Sequence, residues 1–375
     1  MFTFNKRSLA LLLVAALPAA AQSLLNPRST MHITLPEDSP LAVVSANWGE
    51  SAATPRGGAL LLDLRTSLSL RNVTNHRIRG VTLLVLAQET APGGKASVSV
   101  PSLDVGPGEG FPVKLDVRLL RPQMNADGPL VEISLDGVLY DDLTFYGPNK
   151  LNSRRSMTMW ELEARRDRKY LRGLFDSAGV EGLRKHLTDV QARLSESPKV
   201  DVQMARGRTT AQEPEHTVKF AFLNMPGEPV RAITGWALVT QSEARAPRID
   251  VENSSNRAVR YLEIGWIMTD RSGEPFYAGA VPAEMSLLPG AKGRIAPEAS
   301  LKLSKRNGQP LPISGMTGFV NHVEFADGSV WIPQREALET PQLKKALSPS
   351  PEQQRLSDLY RRKGMVAVVE ELHKH

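Results

Sequence analysis

The chain has 375 residues, 41% of them hydrophobic, 23% charged and none of them cysteine, and it carries a formal charge of +6. The missing cysteine excludes disulfides, thiolate metal sites, cysteine nucleophiles and a lipid anchor on an N-terminal cysteine. The length suits two or three domains that must be stabilised by their own cores, and the modest basic excess favours long-range attraction to an anionic surface or polymer.

The first element in chain order is an export signal. Lys6 and Arg7 precede an apolar run from Leu9 to Ala20, and Ala19 and Ala21 occupy the small-residue positions of an A-x-A site. The pattern predicts a signal peptide over residues 1–21 with cleavage before Gln22. The run is shorter than the roughly 20 apolar residues that a membrane span requires. Losing Lys6 and Arg7 lowers the formal charge from +6 to +4. No later apolar run reaches transmembrane length, so the mature chain is expected to be soluble in the periplasm or outside the cell. The compact, Ala-rich leader is bacterial in style. Nucleic acid is not an expected partner, since export separates the chain from it and no recognition motif appears.

Residues 28–150 read as a first β-sandwich. The runs "LAVVSANW", "ALLLDLRTSLSLRN", "RIRGVTLLVLAQ", "ASVSVPSLDV", "FPVKLDVRLL", "LVEISLDG" and "VLYDDLTFY" alternate apolar and polar residues. Turn signals such as "TPRGG", "VTNH", "APGG", "GPGEG" and "NADGP" separate them. Seven or so short strands at this spacing predict an immunoglobulin-like sandwich. A charged helical segment follows at 153–197, then a polar linker at 198–214, a second sandwich at 215–335, and a C-terminal helical segment at 351–375. The expected fold class is therefore mainly β: two tandem sandwiches, each followed by a short helical segment.

The two halves repeat one another. Asn72, Thr74, Asn75 and Arg79 match Asn253, Ser255, Asn256 and Arg260 at an offset of 181 residues. "VLYDDLTFYGP" (138–148) lies against "VEFADGSVWIP" (323–333) at an offset of 185, and Pro107-Gly108 matches Pro289-Gly290 at 182. The 185 offset continues into the helical segments. Leu171, Leu174, Phe175, Gly179, Val180, Leu183 and Leu187 fall on Leu356, Leu359, Tyr360, Gly364, Met365, Val368 and Leu372. Those spacings follow one face of a helix, and each Gly is placed to end one helix in a left-handed cap. Four ordered blocks with nearly constant offset point to duplication of a sandwich-plus-helical-hairpin unit.

The Asn/Ser turn, apolar strand, Pro-Gly turn and terminal "VEFADGSVW" hairpin resemble the small immunoglobulin-like domains of bacterial envelope proteins, the FxLYD-type family. The resemblance implies extracytoplasmic binding or spacing modules without catalytic residues.

Reactive motifs are scarce. His32, His76, His186, His216 and His322 are isolated, and the terminal His373 and His375 sit on a fraying end, so no metal site and no cofactor is expected. No G-x-S-x-G elbow is present, and "GPGEGFP" lacks the following helix of a phosphate loop. Asp141 and Asp142 are adjacent, which on a strand would send them to opposite faces, and the matching Asp327-Gly328 suggests a turn. No catalytic residue is assigned. Two surfaces remain as candidates for a ligand or partner. One is aromatic: of Trp48, Trp160, Trp236, Trp266 and Trp331, alternation sends Trp266 to the core and leaves Trp331, after the hairpin, as the most exposed. The other is the basic helical face of Arg154, Arg155, Arg165, Arg166, Arg168 and Lys169, whose plain alternative is a solvated flank. Asn72 and Asn253 also satisfy N-x-S/T, a glycan acceptor in a eukaryotic secreted protein. The sequence thus supports a non-enzymatic exported protein that binds another protein or an envelope polymer. A carbohydrate-binding protein and an enzyme with an unrecognised site are its rivals.

Overall fold

The computed structural model describes residues 23–24, 31–87, 93–122, 129–196, 200–206, 214–305 and 308–374. The signal-peptide reading of residues 1–21 lies outside them. The chain divides into two compact units, residues 1–158 and 159–375.

In the first unit the period-2 pattern of "ALLLDLRTSLSLRN" buries Leu62, Leu64, Leu68 and Leu70 and exposes Arg65 and Arg71. The strands are β1 (Ser23–Leu24), β2 (Met31–Thr34), β3 (Leu41–Asn47), β4 (Ala52–Arg56), β5 (Ala59–Asn72), β6 (Ile78–Leu86), β7 (Lys95–Val100), β8 (Gly110–Pro122), β9 (Val131–Tyr140) and β10 (Phe145–Tyr146). One sheet is built on β5, which pairs with β8 along its length and with β4 and β3 on its other side. The second sheet runs β10-β9-β6-β7, with β2 added parallel to β9. Leu64, Leu68 and Val113 from one sheet and Val81, Leu83 and Ile133 from the other fill a single core, the arrangement of a β-sandwich.

A kinked helix, α1 (Ser153–Glu196), follows. The second unit then contains β11 (Val200–Arg206), β12 (His216–Lys219), β13 (Ala221–Leu223), β14 (Val230–Val239), β15 (Glu243–Asn253), β16 (Val259–Thr269), β17 (Pro275–Leu287), β18 (Lys292–Ile295), β19 (Ala299–Lys305), β20 (Gly315–Phe325) and β21 (Val330–Trp331). Three helices close the chain: α2 (Arg335–Leu338), α3 (Pro341–Ala346) and α4 (Pro351–His373). Here too β15 pairs with β14 on one side and with β18 and β19 on the other. Likewise β16 pairs with β17 and β20, β13 runs parallel to β20, and β21 folds back on β20. The inner faces again share one core around Ile249, Val251, Leu262, Ile264 and Trp266.

Three segments differ from the sequence expectation. "LVEISLDG" and the "VLY" that opens "VLYDDLTFY" do not form two strands. They make one, β9, with Asp136 as an unpaired bulge between the pairs Leu135–Leu83 and Gly137–Thr82. Part of the linker, residues 200–206, is strand β11 along the edge of β19, because Val200 and Val202 alternate with polar residues and pack on the core. The helical segments do not form separate spacers. Leu171, Leu183 and Leu187 of α1 and Leu356, Val368 and Leu372 of α4 form one buried cluster.

Candidate functional site

Two asparagines explain the repeated turn. Asn72 ends β5 fully buried, and its Nδ2 donates to the carbonyls of His76, Val105 and Gly106 at 2.8, 3.3 and 3.1 Å. Its Oδ1 accepts from the backbone N and the hydroxyl of Thr74. Asn253 ends β15 in the same way, donating to Arg257 and Leu287 and accepting from Ser255 N and Oγ. Each corner also ties its backbone to the Pro-Gly turn: Gly108 N donates to Asn72 O and Gly290 N to Asn253 O, both at 2.9 Å. An amide engaged so completely cannot also be a glycan acceptor in the folded chain.

The acidic hairpin recurs as well. Thr144 donates through N and Oγ1 to Asp142, and Ser329 through N and Oγ to Asp327. Those hydrogen bonds, together with Arg257, hold the Asp327 carboxyl down at about 2. Asp141 and Asp142 lie in a turn rather than on a strand.

In the second unit the chemistry-bearing side chains gather in and beside the helical module. Backbone geometry sets this up: Gly179 (φ 63°, ψ −165°) and Gly364 (φ 82°, ψ −178°) break α1 and α4 at the predicted places, so each element is a helical hairpin. The start of α4 is fixed by a capping box in which Ser350 and Gln353 satisfy each other's backbone N–H. The hairpins contact each other reciprocally. Arg172 donates to Leu372 O, and Ser357, the residue 185 positions later, donates to Leu187 O, itself 185 positions before Leu372. This is the contact pattern of a two-fold interface made within one chain.

Charged groups line that interface. Arg168 bridges Glu161 at 3.0 Å and Glu352 at 3.2 Å, and all three are buried. Arg355 pairs with Glu352 and with Glu371, each at 2.7 Å. Against the cost of burial, Arg355 and Lys374 hold the Glu371 carboxyl at about 2. Asp167, fully buried, accepts from Arg166 at 2.9 Å and from Ser350 Oγ at 2.5 Å. His186 meets the Gln353 amide at 3.1 Å and the edge of Tyr170, and burial pushes its imidazole below its ordinary value.

A second group lies on β16, β17 and β20, with Glu163 of α1 beside it. The ring nitrogens of buried His322 face Glu263 at 3.7 Å and Glu324 at 3.6 Å, with Tyr261 against the ring. Burial raises the half-buried Glu163 carboxyl to about 7; Arg166 opposes this, and Asp167 and Glu263 reinforce it. Tyr277 is likewise raised by burial and by Glu263. A titrating carboxylate near a histidine is what an acid–base site needs. The two carboxylates, however, address opposite edges of the ring and leave no nitrogen aimed at a substrate, and the ring is sealed at 1% exposure. Among the described residues no cluster of histidine and carboxylate groups converges as a metal site.

The predicted site residues separate. Trp331 is half-buried and packs against the second sandwich core and against the cluster formed by Leu338 and Leu343, so it offers no open ring. It lies on β21, which folds back on β20, and Leu338 and Leu343 of the short helices that follow cover it. Of the basic face, Arg154, Arg165 and Lys169 are exposed and Arg155 is half-buried, but Arg165 already pairs with Glu161. Arg166 and Arg168 are corrections: they turn inward onto Asp167, Glu161 and Glu352. Asp167 and Glu161 lie nearby in the sequence, but the group that buries the pair against α4, Glu352, lies 184 residues from Arg168 and no local window shows it. The exposed tryptophan is Trp236, on β14.

No protein-family model matches the chain, and no curated protein matches it. Solved structures give faint likenesses. A β-glucosidase from Kluyveromyces marxianus is 7% identical over 70% of this chain and 45% of its own, with a TM-score of 0.15. The C-terminal globular domain of an oligosaccharyltransferase from Pyrococcus abyssi is 11% identical over 78% of this chain and 48% of its own, also at 0.15. A red sea bream transglutaminase is 8% identical over 78% and 31%, at 0.13. The chain spans less than half the length of each, and likenesses at this level carry no argument.

Proposed function

We propose that the chain is an exported, non-enzymatic interaction protein of the bacterial cell envelope, built from two related immunoglobulin-like modules of the FxLYD type. The observation that carries this reading is the use to which the recurring residues are put. Asn72 and Asn253, Asp142 and Asp327, and Gly179 and Gly364 fix corners, hairpins and helix breaks. Buried acids and bases are spent on one another, in ion pairs that join α1 to α4 (Arg168–Glu352) and brace α4 itself (Arg355–Glu371). Such a molecule presents sheet faces to a partner, and the export-signal pattern of residues 1–21 supports a partner outside the cytoplasm. Among the described residues no helix is long and apolar enough to cross a membrane.

The test is fractionation of bacteria expressing the whole chain, followed by N-terminal sequencing and co-sedimentation of the product with isolated envelopes. The expected product begins at Gln22, is recovered outside the cytoplasm, and pellets with envelopes at low salt. An uncut cytoplasmic chain, or a processed chain left wholly in the supernatant, would contradict the proposal.

A further inference from the structure

The outer face of the sheet built on β15 carries an aromatic residue that packing does not use. Ala237, Val239 and Ile249 point into the core, so Trp236 and Arg248, which alternate with them, point out. Trp236 retains 40% exposure, a large apolar ring left in water. Register places Lys219 of β12 opposite it on one side and Arg248 of β15 opposite it on the other. Directly paired residues share a face, so the indole lies between two cations. Thr217 and Thr234, both exposed, stand on neighbouring strands of the same outward set.

Neither cation is committed. Lys219 and Arg248 form no ion pair among the described residues, and Arg248 Nη1 is buried with no hydrogen-bond partner there. The nearby carboxylates are already engaged: Glu215 with Arg245, Asp250 with Arg294 at 2.7 Å, and Glu252 with Arg231 at 2.8 Å. The face therefore shows uncompensated positive charge around one flat ring. At the matching place in the first unit, five residues before Asn72 along the pairing of β3 with β5, stands Asn47, which turns its amide oxygen back to Gly49 N. The platform belongs to the second sandwich alone.

We infer that this face, Trp236 flanked by Lys219 and Arg248, binds an acidic polysaccharide, with a sugar ring stacked on the indole and uronate carboxylates on the two cations. The inference rests on the proposed extracytoplasmic binding role and names the class of its ligand. Charge complementarity selects an anionic ligand. The flat, open sheet selects an extended polymer, and the exposed indole selects a ring with an apolar face over a purely ionic chain. Arg248 supplies planar donors suited to a carboxylate and Lys219 a mobile point charge.

The test is affinity electrophoresis of the processed chain through gels containing polygalacturonate, dextran or poly-glutamate. Polygalacturonate is expected to retard the protein and dextran to leave it unshifted. Trp236→Ala should weaken polygalacturonate retention about tenfold or more, with Trp236→Tyr recovering part of it. Lys219→Gln with Arg248→Gln should weaken it and flatten its dependence on salt. Trp236 and Lys219 are exposed and Arg248 is half-buried, so each variant is melted beside the parent, and only variants that melt with it are compared for retention. Absence of retardation by polygalacturonate overturns the inference. So does retention, by polygalacturonate or poly-glutamate, that Trp236→Ala leaves unchanged, because the ligand would then be any polyanion. Export and envelope co-sedimentation are read separately, so they can stand when this fails.

Discussion

At the scale of single residues, the two corner asparagines show how little sequence fixes a turn. Their side chains satisfy carbonyls from a neighbouring loop, so removing one leaves several buried acceptors without a donor. Asn253→Ala is expected to cost roughly 2–3 kcal/mol in chemical denaturation, with Asn72→Ala similar in its own unit. Glu163 behaves oppositely. Its folded carboxyl titrates at about 7 against an ordinary value of 4.5. The folded chain thus holds that proton more tightly than the unfolded one. The stabilisation is complete below the ordinary value and is lost as pH rises through about 7. Glu163→Gln should therefore raise stability by on the order of 2 kcal/mol at pH near 8, with the gain vanishing near pH 4.5. A gain that is the same at both pH values would show that the carboxyl is not perturbed by burial. Glu371 and Asp327, both held at about 2, act at the other limit, and their contribution is lost as pH falls through that value.

At the scale of elements, much was legible where the pattern is local. The alternation of residues 59–72 marks β5, and the glycines at 179 and 364 mark real breaks. Replacing either glycine by alanine forces a side chain into a backbone region nearly reserved for glycine and should cost about 1–3 kcal/mol, measured by thermal melting. What failed was non-local. β9 does not read as one strand in the sequence, because the Asp-Gly at 136–137 carries the composition of a turn while serving as a bulge. That bulge aims Asp136 at Ser153 Oγ, 2.6 Å away, and fixes the start of α1. One of the two partners of Arg168, Glu352, lies on α4, 184 residues on, so no local window shows that the arginine is buried. Alternation does not single out Trp236 as the open ring, because exposure depends on which strands cover a face and alternation gives only the face. The joined helical hairpins make a further prediction. Leu356→Ala opens a cavity in their shared core and should destabilise the second unit by about 2–5 kcal/mol, seen as faster amide exchange in both α1 beyond Met159 and α4. Exchange confined to α4 would mean that the hairpins do not support each other.

At the scale of the whole molecule, the pairings of β5 with β3 and β8 and of β6 with β7 and β9 recur as those of β15 with β14, β18 and β19 and of β16 with β17 and β20, while β1, β4, β11 and β12 do not recur. The proposal that the sandwiches descend from a single module rests on the places where the same residue does the same work. Native-state amide hydrogen exchange of the full chain tests this most directly, read at Asn72, Gly108 and Ile78 against Asn253, Gly290 and Val259. The account predicts that each amide in one set ranks in protection within its own unit as its counterpart does in the other, with the asparagine corners among the slowest. Corner amides that exchange at unfolded-chain rates in either unit, while the strands beside them stay protected, would contradict it.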